Sequence, residues 1–68
     1  MSRKNLKEAR QKAGMTQKQV ADELGISVRA YQDIEAGKYE GKIKHWDRLE
    51  DIFYIHQRTL REISHYDK

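Results

Sequence analysis

Apolar residues recur three or four positions apart along most of the chain, with polar and charged side chains between them. This spacing places the apolar side chains on one face of an α-helix, so it predicts amphipathic helices that share a core. No proline interrupts the chain. The pattern predicts an all-α fold of five helices, at about residues 3–13, 17–24, 28–36 and 43–53 and within residues 57–64.

The segment 16–37 contains the strongest local signals in the sequence. Thr16 is a favourable N-cap, and Gln19 can complete a capping box three residues later. Gly25 suits the positive φ that ends a helix, and Ser27 can cap the helix that follows. Two capped helices around a glycine form a helix-turn-helix pattern, so we expect this unit to organise the fold.

The predicted core contains one apolar stripe from each helix. Trp46 could also be a stacking platform for a base, but its spacing with apolar neighbours is sufficiently explained by packing. We expect Ser2 to cap the first helix, and either His56 or Thr59 to begin the fifth. The predicted core residues are Leu6, Ala9, Ala13, Met15, Val20, Ala21, Leu24, Ile26, Tyr31, Ile34, Ile43, Trp46, Leu49, Ile52, Phe53, Leu60 and Ile63.

Positive charge is concentrated in the part of the chain that contains the helix-turn-helix pattern. Residues 1–45 contain ten Lys and Arg against six Asp and Glu, whereas residues 46–68 contain four against five. The charge could belong to an ordinary solvated surface. A basic helix-turn-helix region is nevertheless typical of nucleic-acid binding.

Composition argues against several other classes of protein. The 68 residues include no cysteine, which removes disulfides, thiolate nucleophiles and thiolate metal ligands. The histidines at positions 45, 56 and 65 lack metal-ligand spacing, and no phosphate-binding glycine loop or serine elbow occurs. No apolar run is long enough to span a membrane. We therefore expect one soluble, cytoplasmic domain over residues 1–68 that is not an enzyme and uses no cofactor, metal or small-molecule substrate.

The helix-turn-helix residues and their neighbours resemble the lambda-repressor-like, or Cro/repressor-type, family of bacterial and phage transcription regulators. The similarity covers about residues 3–63, and the segment around Trp46 is most similar to small phage or mobile-element repressors. The family implies a compact five-helix DNA-binding domain. The residues that carry the resemblance are Leu6, Arg10, Gly14, Met15, Thr16, Gln17, Val20, Ala21, Leu24, Gly25, Ile26, Ser27, Tyr31, Ile34, Glu35, Ala36, Gly37 and Lys38.

The resemblance implies that the helix after Gly25 is a recognition helix whose N-terminal end enters the major groove of DNA. Arg29 would bind guanine through two hydrogen bonds, or would instead be a nonspecific phosphate anchor. Asp33 would accept from cytosine or orient Arg29. The DNA-binding residues implied by the family are Gln17, Ser27, Val28, Arg29, Gln32, Asp33, Lys38, Lys42 and Lys44, with Gln32 on adenine, Val28 on thymine, and Gln17 and the lysines on phosphates.

Other positions have structural roles in relatives. Arg10 and Glu35 occupy positions that pair there and join the first helix to the recognition helix. Many relatives have glycine where this chain has Tyr54, so we expect the fourth helix to end differently here. Residues 54–66 fall where relatives form dimer contacts.

Together these features predict a repressor that binds double-stranded operator DNA as a homodimer, at least when on DNA. The alternative is a helix-turn-helix module that acts mainly through a protein partner, as an antitoxin or a regulator inhibitor. In that case Tyr39, Tyr54, Ile55 and Tyr66 would form an exposed apolar surface. The basic residues near the recognition helix favour DNA.

Overall fold

The computed structural model describes residues 2–64, and within this range the chain is helical without strands, apart from one antiparallel bridge between Ser2 and Ser64. The predicted all-α class and the five helices are confirmed, and no predicted boundary differs by more than three residues. The helices are α1 (Lys4–Lys12), α2 (Gln17–Leu24), α3 (Val28–Glu35), α4 (Ile43–Phe53) and α5 (Gln57–Arg61).

The local signals around α2 and α3 form the structures that they predict. Thr16 and Gln19 make a reciprocal capping box, with donor–acceptor distances of 3.0 and 2.8 Å. Gly25 ends α2 at φ 70°, in the left-handed region. The Ser27 hydroxyl accepts the Ala30 N–H at 3.1 Å and caps α3. These short-range bonds fix the angle at which α3 leaves the turn.

The core forms as predicted, with three corrections. Ile63 was expected inside but is only half-buried and does not join the core, because α5 ends at Arg61 and Ile63 lies beyond it. Trp46 is buried, which confirms its packing role. Ala13 was expected inside but is exposed, because α1 ends one residue earlier and Ala13 is already its C-cap. Ile43 is 75% exposed, because the first residue of α4 projects beyond the core. The buried apolar residues are Leu6, Ala9, Val20, Ala21, Tyr31, Ile34, Trp46, Leu49, Phe53 and Leu60; Met15, Leu24, Ile26, Ile52 and Ile55 pack partly buried against them.

Three helix ends depend on residues that periodicity does not decide. Ser2 does not cap α1; Arg3 is the N-cap, without a side-chain hydrogen bond. The expectation that Tyr54 prevents a left-handed ending of α4 is wrong, since Tyr54 adopts φ 58° and its N–H donates to the Glu50 carbonyl at 2.9 Å. His56 is the N-cap of α5, because its Nδ1 accepts the Arg58 N–H at 3.0 Å.

Arg3 ties the N-terminal segment to the ends of two helices. Its backbone N–H donates to the Glu35 carbonyl at 2.8 Å, at the C-terminal end of α3. Its guanidinium donates to the carbonyls of Ile34 at 2.6 Å, Tyr39 at 3.1 Å and Arg61 at 3.0 Å. Burial lowers the pKa of this side chain, which is only 4% exposed. Arg3 thus satisfies carbonyls that the ends of α3 and α5 leave unpaired.

Candidate nucleic-acid interface

The packing of α3 decides which of its side chains are available to a ligand. Tyr31 and Ile34 are fully buried, whereas Ser27, Val28, Arg29 and Gln32 are exposed, and Asp33 is half-buried. Because α3 has a regular period, the buried pair turns the other residues outward together. The solvent-facing side of α3 therefore consists of the residues that the sequence assigns to DNA.

A network of hydrogen bonds links α1, α2 and α3 behind this surface. Arg10 donates to the Glu35 carboxylate through Nε at 2.7 Å and Nη2 at 3.2 Å, and both side chains are nearly buried. Gln17 donates to the same carboxylate at 3.2 Å, and its Oε1 accepts from Gln32 at 3.2 Å. The network holds the start of α2 against the exposed side of α3.

The Glu35 carboxylate affects the pKa of two neighbouring side chains. Hydrogen bonding to Glu35 raises the pKa of Arg10, while burial has a smaller opposing effect. Burial raises the pKa of Tyr31, and the neighbouring Glu35 carboxylate adds to this effect. Arg10 therefore stays charged and Tyr31 stays neutral at ordinary pH.

The Gln17 amide has a defined orientation at the start of α2. Its side chain is half-buried and is held from two sides, by Glu35 and by Gln32. The first backbone N–H groups of any α-helix have no acceptor within the helix, so this end of α2 favours a phosphate. A fixed amide beside such N–H groups can bind a phosphate with little loss of side-chain entropy.

Arg29 and Asp33 form an ion pair one helical turn apart on α3. Arg29 Nε lies 3.6 Å from Asp33 Oδ1, and the Arg29 side chain is 81% exposed. An exposed pair of this kind contributes little to stability, about 0.3–0.5 kcal/mol. Its geometry nevertheless favours the interpretation in which Asp33 orients Arg29.

The loop between α3 and α4, together with the first turn of α4, presents three lysines. Lys38, Lys42 and Lys44 all have exposed side chains. Asp33 holds the loop, because its carbonyl accepts the Lys38 N–H at 2.9 Å and the Tyr39 N–H at 3.2 Å.

The end of this loop packs closely on the core. A Cβ at Gly41, whose φ is 81°, would lie 3.3 Å from Trp46 Nε1 and 3.4 Å from Ile34 Cδ1. The Trp46 indole also donates to the Glu40 carbonyl at 2.8 Å. The backbone that presents Lys42 is therefore anchored.

His45 supports the same loop from inside. Its Nδ1 accepts the Lys42 N–H at 3.3 Å, and its side chain is buried. Burial lowers the pKa of His45, and the charges of Lys44 and Lys42 lower it further. A neutral imidazole is therefore part of the folded loop, because a protonated Nδ1 could not accept this bond.

Part of the apolar surface considered for a protein partner is present. Tyr54 is 92% exposed and Tyr39 is 42% exposed, whereas Ile55 is partly buried against the core. Tyr66 and His65, and with them the end of the expected dimer-contact region 54–66, lie outside the described residues.

The part of the chain that the structure describes shows neither a metal-binding cluster nor a membrane-spanning helix. Residues 2–64 contain no cluster of three or more His, Asp or Glu side chains arranged to hold a metal ion. Nor does any helix in that range have the length and apolar character needed to cross a bilayer.

Sequence reasoning did not find several contacts that hold the interface in place. Arg3 was not assigned a role. The Gln17–Gln32 bond and the ion pair between Arg48 and Glu23, which links α4 to α2, were also not predicted. Their partners are 15 and 25 positions apart, and helical periodicity contains no information about such pairs.

In a comparison with known protein families, residues 6–53 match a helix-turn-helix family. No curated protein and no solved structure matches the chain. The matched range contains α2 to α4, most of α1 and all nine candidate DNA-binding residues. It covers most of the chain, and the arrangement of α2 and α3 agrees with it. The chain therefore belongs to the Cro/C1-type, lambda-repressor-like helix-turn-helix family of DNA-binding regulators.

Proposed function

We propose that this protein is a sequence-specific transcriptional repressor of the phage or mobile-element type, which binds a two-fold operator in the major groove as a homodimer. The observation that carries the proposal is the exposed side of α3, where Arg29 and Gln32 stand beside the capped start of α2. Base contacts by α3 would provide specificity, and occupation of a promoter would exclude polymerase.

Base recognition rests on Arg29 first. Its guanidinium is exposed and close to a carboxylate that limits its rotamers. Arginine can bind guanine O6 and N7 together, which is worth about 1–3 kcal/mol of discrimination. Gln32 would bind adenine after exchanging its bond with Gln17, and Val28 would contact a thymine methyl group.

Phosphate contacts would set the register of the protein on DNA. Gln17 at the start of α2 would bind one phosphate, and Lys38, Lys42 and Lys44 would bind others. Each lysine that neutralises a phosphate releases condensed counterions, so affinity would fall steeply with salt. The anchored loop supports this role because it holds the lysine backbones in one position relative to α3.

The short length of α3 supports the proposed two-fold symmetry. An eight-residue helix recognises only a few base pairs, so one copy gives little specificity. Two copies would place their α3 helices about 34 Å apart, one turn of DNA. The exposed Tyr54, at the end of α4, supports a contact in this region, either with the second copy or with another protein.

Selection of bound sequences from a random duplex library tests the proposal. We expect a palindromic consensus whose half-sites are about 10 base pairs apart. The matched control is the Arg29→Ala, Gln32→Ala variant, which should enrich no consensus while keeping weak, salt-sensitive binding. Absence of enrichment with the unaltered protein would contradict the proposal and favour action through a protein partner.

A further inference from the structure

A groove of about 630 Å³ opens beside α5. Three arginines line it, Arg3 from the N-terminal segment and Arg58 and Arg61 from α5, together with the carboxylates of Glu40 and Glu62. Its volume lies within the range of about 300–1,000 Å³ that is usual for small-ligand sites. The lining therefore combines a suitable size with an excess of positive charge.

The arginines of the groove form no close ion pairs in the part of the chain that the structure describes. Within residues 2–64, none of the three has a carboxylate oxygen within 4 Å. Glu62 instead accepts from the Asn5 amide at 3.1 Å. Arg3 is almost fully buried and its hydrogen-bond partners are neutral carbonyls, while the Glu40 carboxylate acts on it from a longer distance. Burial of a cation is costly, so an anion hydrogen-bonded to Arg3 would offset part of a cost already present in the fold.

Two of these guanidinium groups lie against the same aromatic ring. Arg3 lies 5.2 Å and Arg61 lies 5.9 Å from the centre of the Trp46 ring. Burial lowers the pKa of Arg3, the Glu40 carboxylate opposes this effect, and the positive charge of Arg61 adds to it. The Nη2 group of Arg3 has no hydrogen-bond partner in the described part of the chain, which leaves its N–H groups available at the groove.

We propose that this groove binds a small phosphate-bearing molecule through Arg3, Arg58 and Arg61. Guanidinium groups bind phosphate oxygens through paired, charge-assisted hydrogen bonds, and three of them here face one concave surface. The bound anion gives Arg3 a hydrogen-bonded negative partner, in addition to the more distant Glu40 carboxylate.

We assign the phosphate to a free small molecule because the groove is remote from the residues proposed to bind bases. Arg3 contacts carbonyls at the C-terminal end of α3, at Ile34 and Glu35, whereas the proposed base contacts begin near Ser27. These two ends are separated by the length of an eight-residue helix, about 12 Å. The groove does adjoin the loop that contains Lys38, because Arg3 also holds the Tyr39 carbonyl, so duplex DNA is included in the test.

Titration of the ¹⁵N-labelled chain with inorganic pyrophosphate at constant ionic strength tests this proposal. The signals to follow are the Trp46 indole N–H and the Nε–H groups of Arg3, Arg58 and Arg61. We expect saturable shifts at these groups, and affinity about tenfold lower for Arg58→Gln, which removes one charge-assisted contact. The Arg58 side chain is exposed and makes no hydrogen bond within residues 2–64, so this variant should fold normally.

Lys7→Gln is the matched control, because it removes one exposed positive charge from α1, outside the groove. Its pyrophosphate affinity should equal that of the unaltered protein. Equal losses of affinity in Lys7→Gln and Arg58→Gln, or shifts that rise linearly without saturation, would overturn the proposal in favour of general charge screening.

A second titration uses duplex DNA. If DNA shifts the signals of the groove arginines and pyrophosphate does not, the groove extends the DNA interface and the proposal is wrong. Because the random-library selection is a separate measurement, failure here leaves the proposed repressor function unaffected.

Discussion

Replacement of Glu35 by glutamine should remove much of the stability of this small protein. Glu35 is buried and accepts two hydrogen bonds from Arg10 and one from Gln17. Glu35→Gln keeps the volume but leaves the Arg10 charge buried without a counterion, which typically costs about 3–5 kcal/mol. A 68-residue chain has a total free energy of unfolding of only about 3–10 kcal/mol.

Urea denaturation followed by Trp46 fluorescence measures this loss, since the chain contains one tryptophan and it is buried. For a small domain the unfolding free energy falls by about 1 kcal/mol per M urea, so a loss of 3 kcal/mol moves the midpoint by about 3 M. The double variant Arg10→Met, Glu35→Met should recover most of the loss, because it removes both buried charges.

Lys18→Gln is the control for the loss of an ordinary ion pair. Lys18 Nζ lies 2.8 Å from Asp22 Oδ1, and both side chains are mostly exposed. We therefore expect the free energy of unfolding to change by less than about 0.5 kcal/mol. A Glu35→Gln variant as stable as Lys18→Gln would refute the interpretation that the Arg10–Glu35 pair holds α3 against α1.

Three further changes test other parts of the structure. Tyr54→Gly should raise the free energy of unfolding by about 0.5–1 kcal/mol and therefore raise the melting temperature. The left-handed conformation costs a non-glycine residue about 1–2 kcal/mol, and the exposed ring contributes little packing. An unchanged or lower melting temperature would show that the ring stabilises the chain. Because the folded-state pKa of His45 is lowered, the unfolded chain takes up the proton first, so stability should decrease as pH falls below about 6.5. The denaturation midpoint should therefore depend less on pH between about 7 and 5 in His45→Asn, and an unchanged slope would exclude His45 as the cause. Lys42→Ala should weaken binding to all DNA sequences and reduce the salt slope by about one, and an unchanged slope would remove Lys42 from the phosphate contacts.

The parts of the fold that sequence predicts well are those fixed by neighbouring residues. Thr16 with Gln19 caps α2 through residues three positions apart, and Gly25 needs only its own backbone to turn. Periodicity likewise predicts the exposed side of α3, because burial of Tyr31 and Ile34 turns the remaining positions outward.

Prediction from the sequence fails where a contact joins distant positions or where a helix ends. Arg3 binds carbonyls 31, 36 and 58 positions away, and nothing in its surroundings along the chain indicates them. Ile43 has the same spacing as the buried apolar residues of α4, but it is the first residue of that helix and projects beyond the core into solvent. Tyr54 adopts a left-handed conformation in which glycine is usually found. The hydrogen bond from its N–H to the Glu50 carbonyl and the contact between α4 and α5 hold the backbone in this conformation.

The affinity of Arg29→Ala for the selected operator, compared with a scrambled duplex, tests the central claim most directly. Arg29 is 81% exposed, so its removal should leave the melting temperature nearly unchanged. We predict a loss of about 1–3 kcal/mol on the operator and a much smaller loss on the scrambled duplex, so that the specificity ratio falls at least several-fold. Equal losses on both duplexes would make Arg29 a phosphate anchor, and an unchanged operator affinity would contradict base recognition by the exposed side of α3.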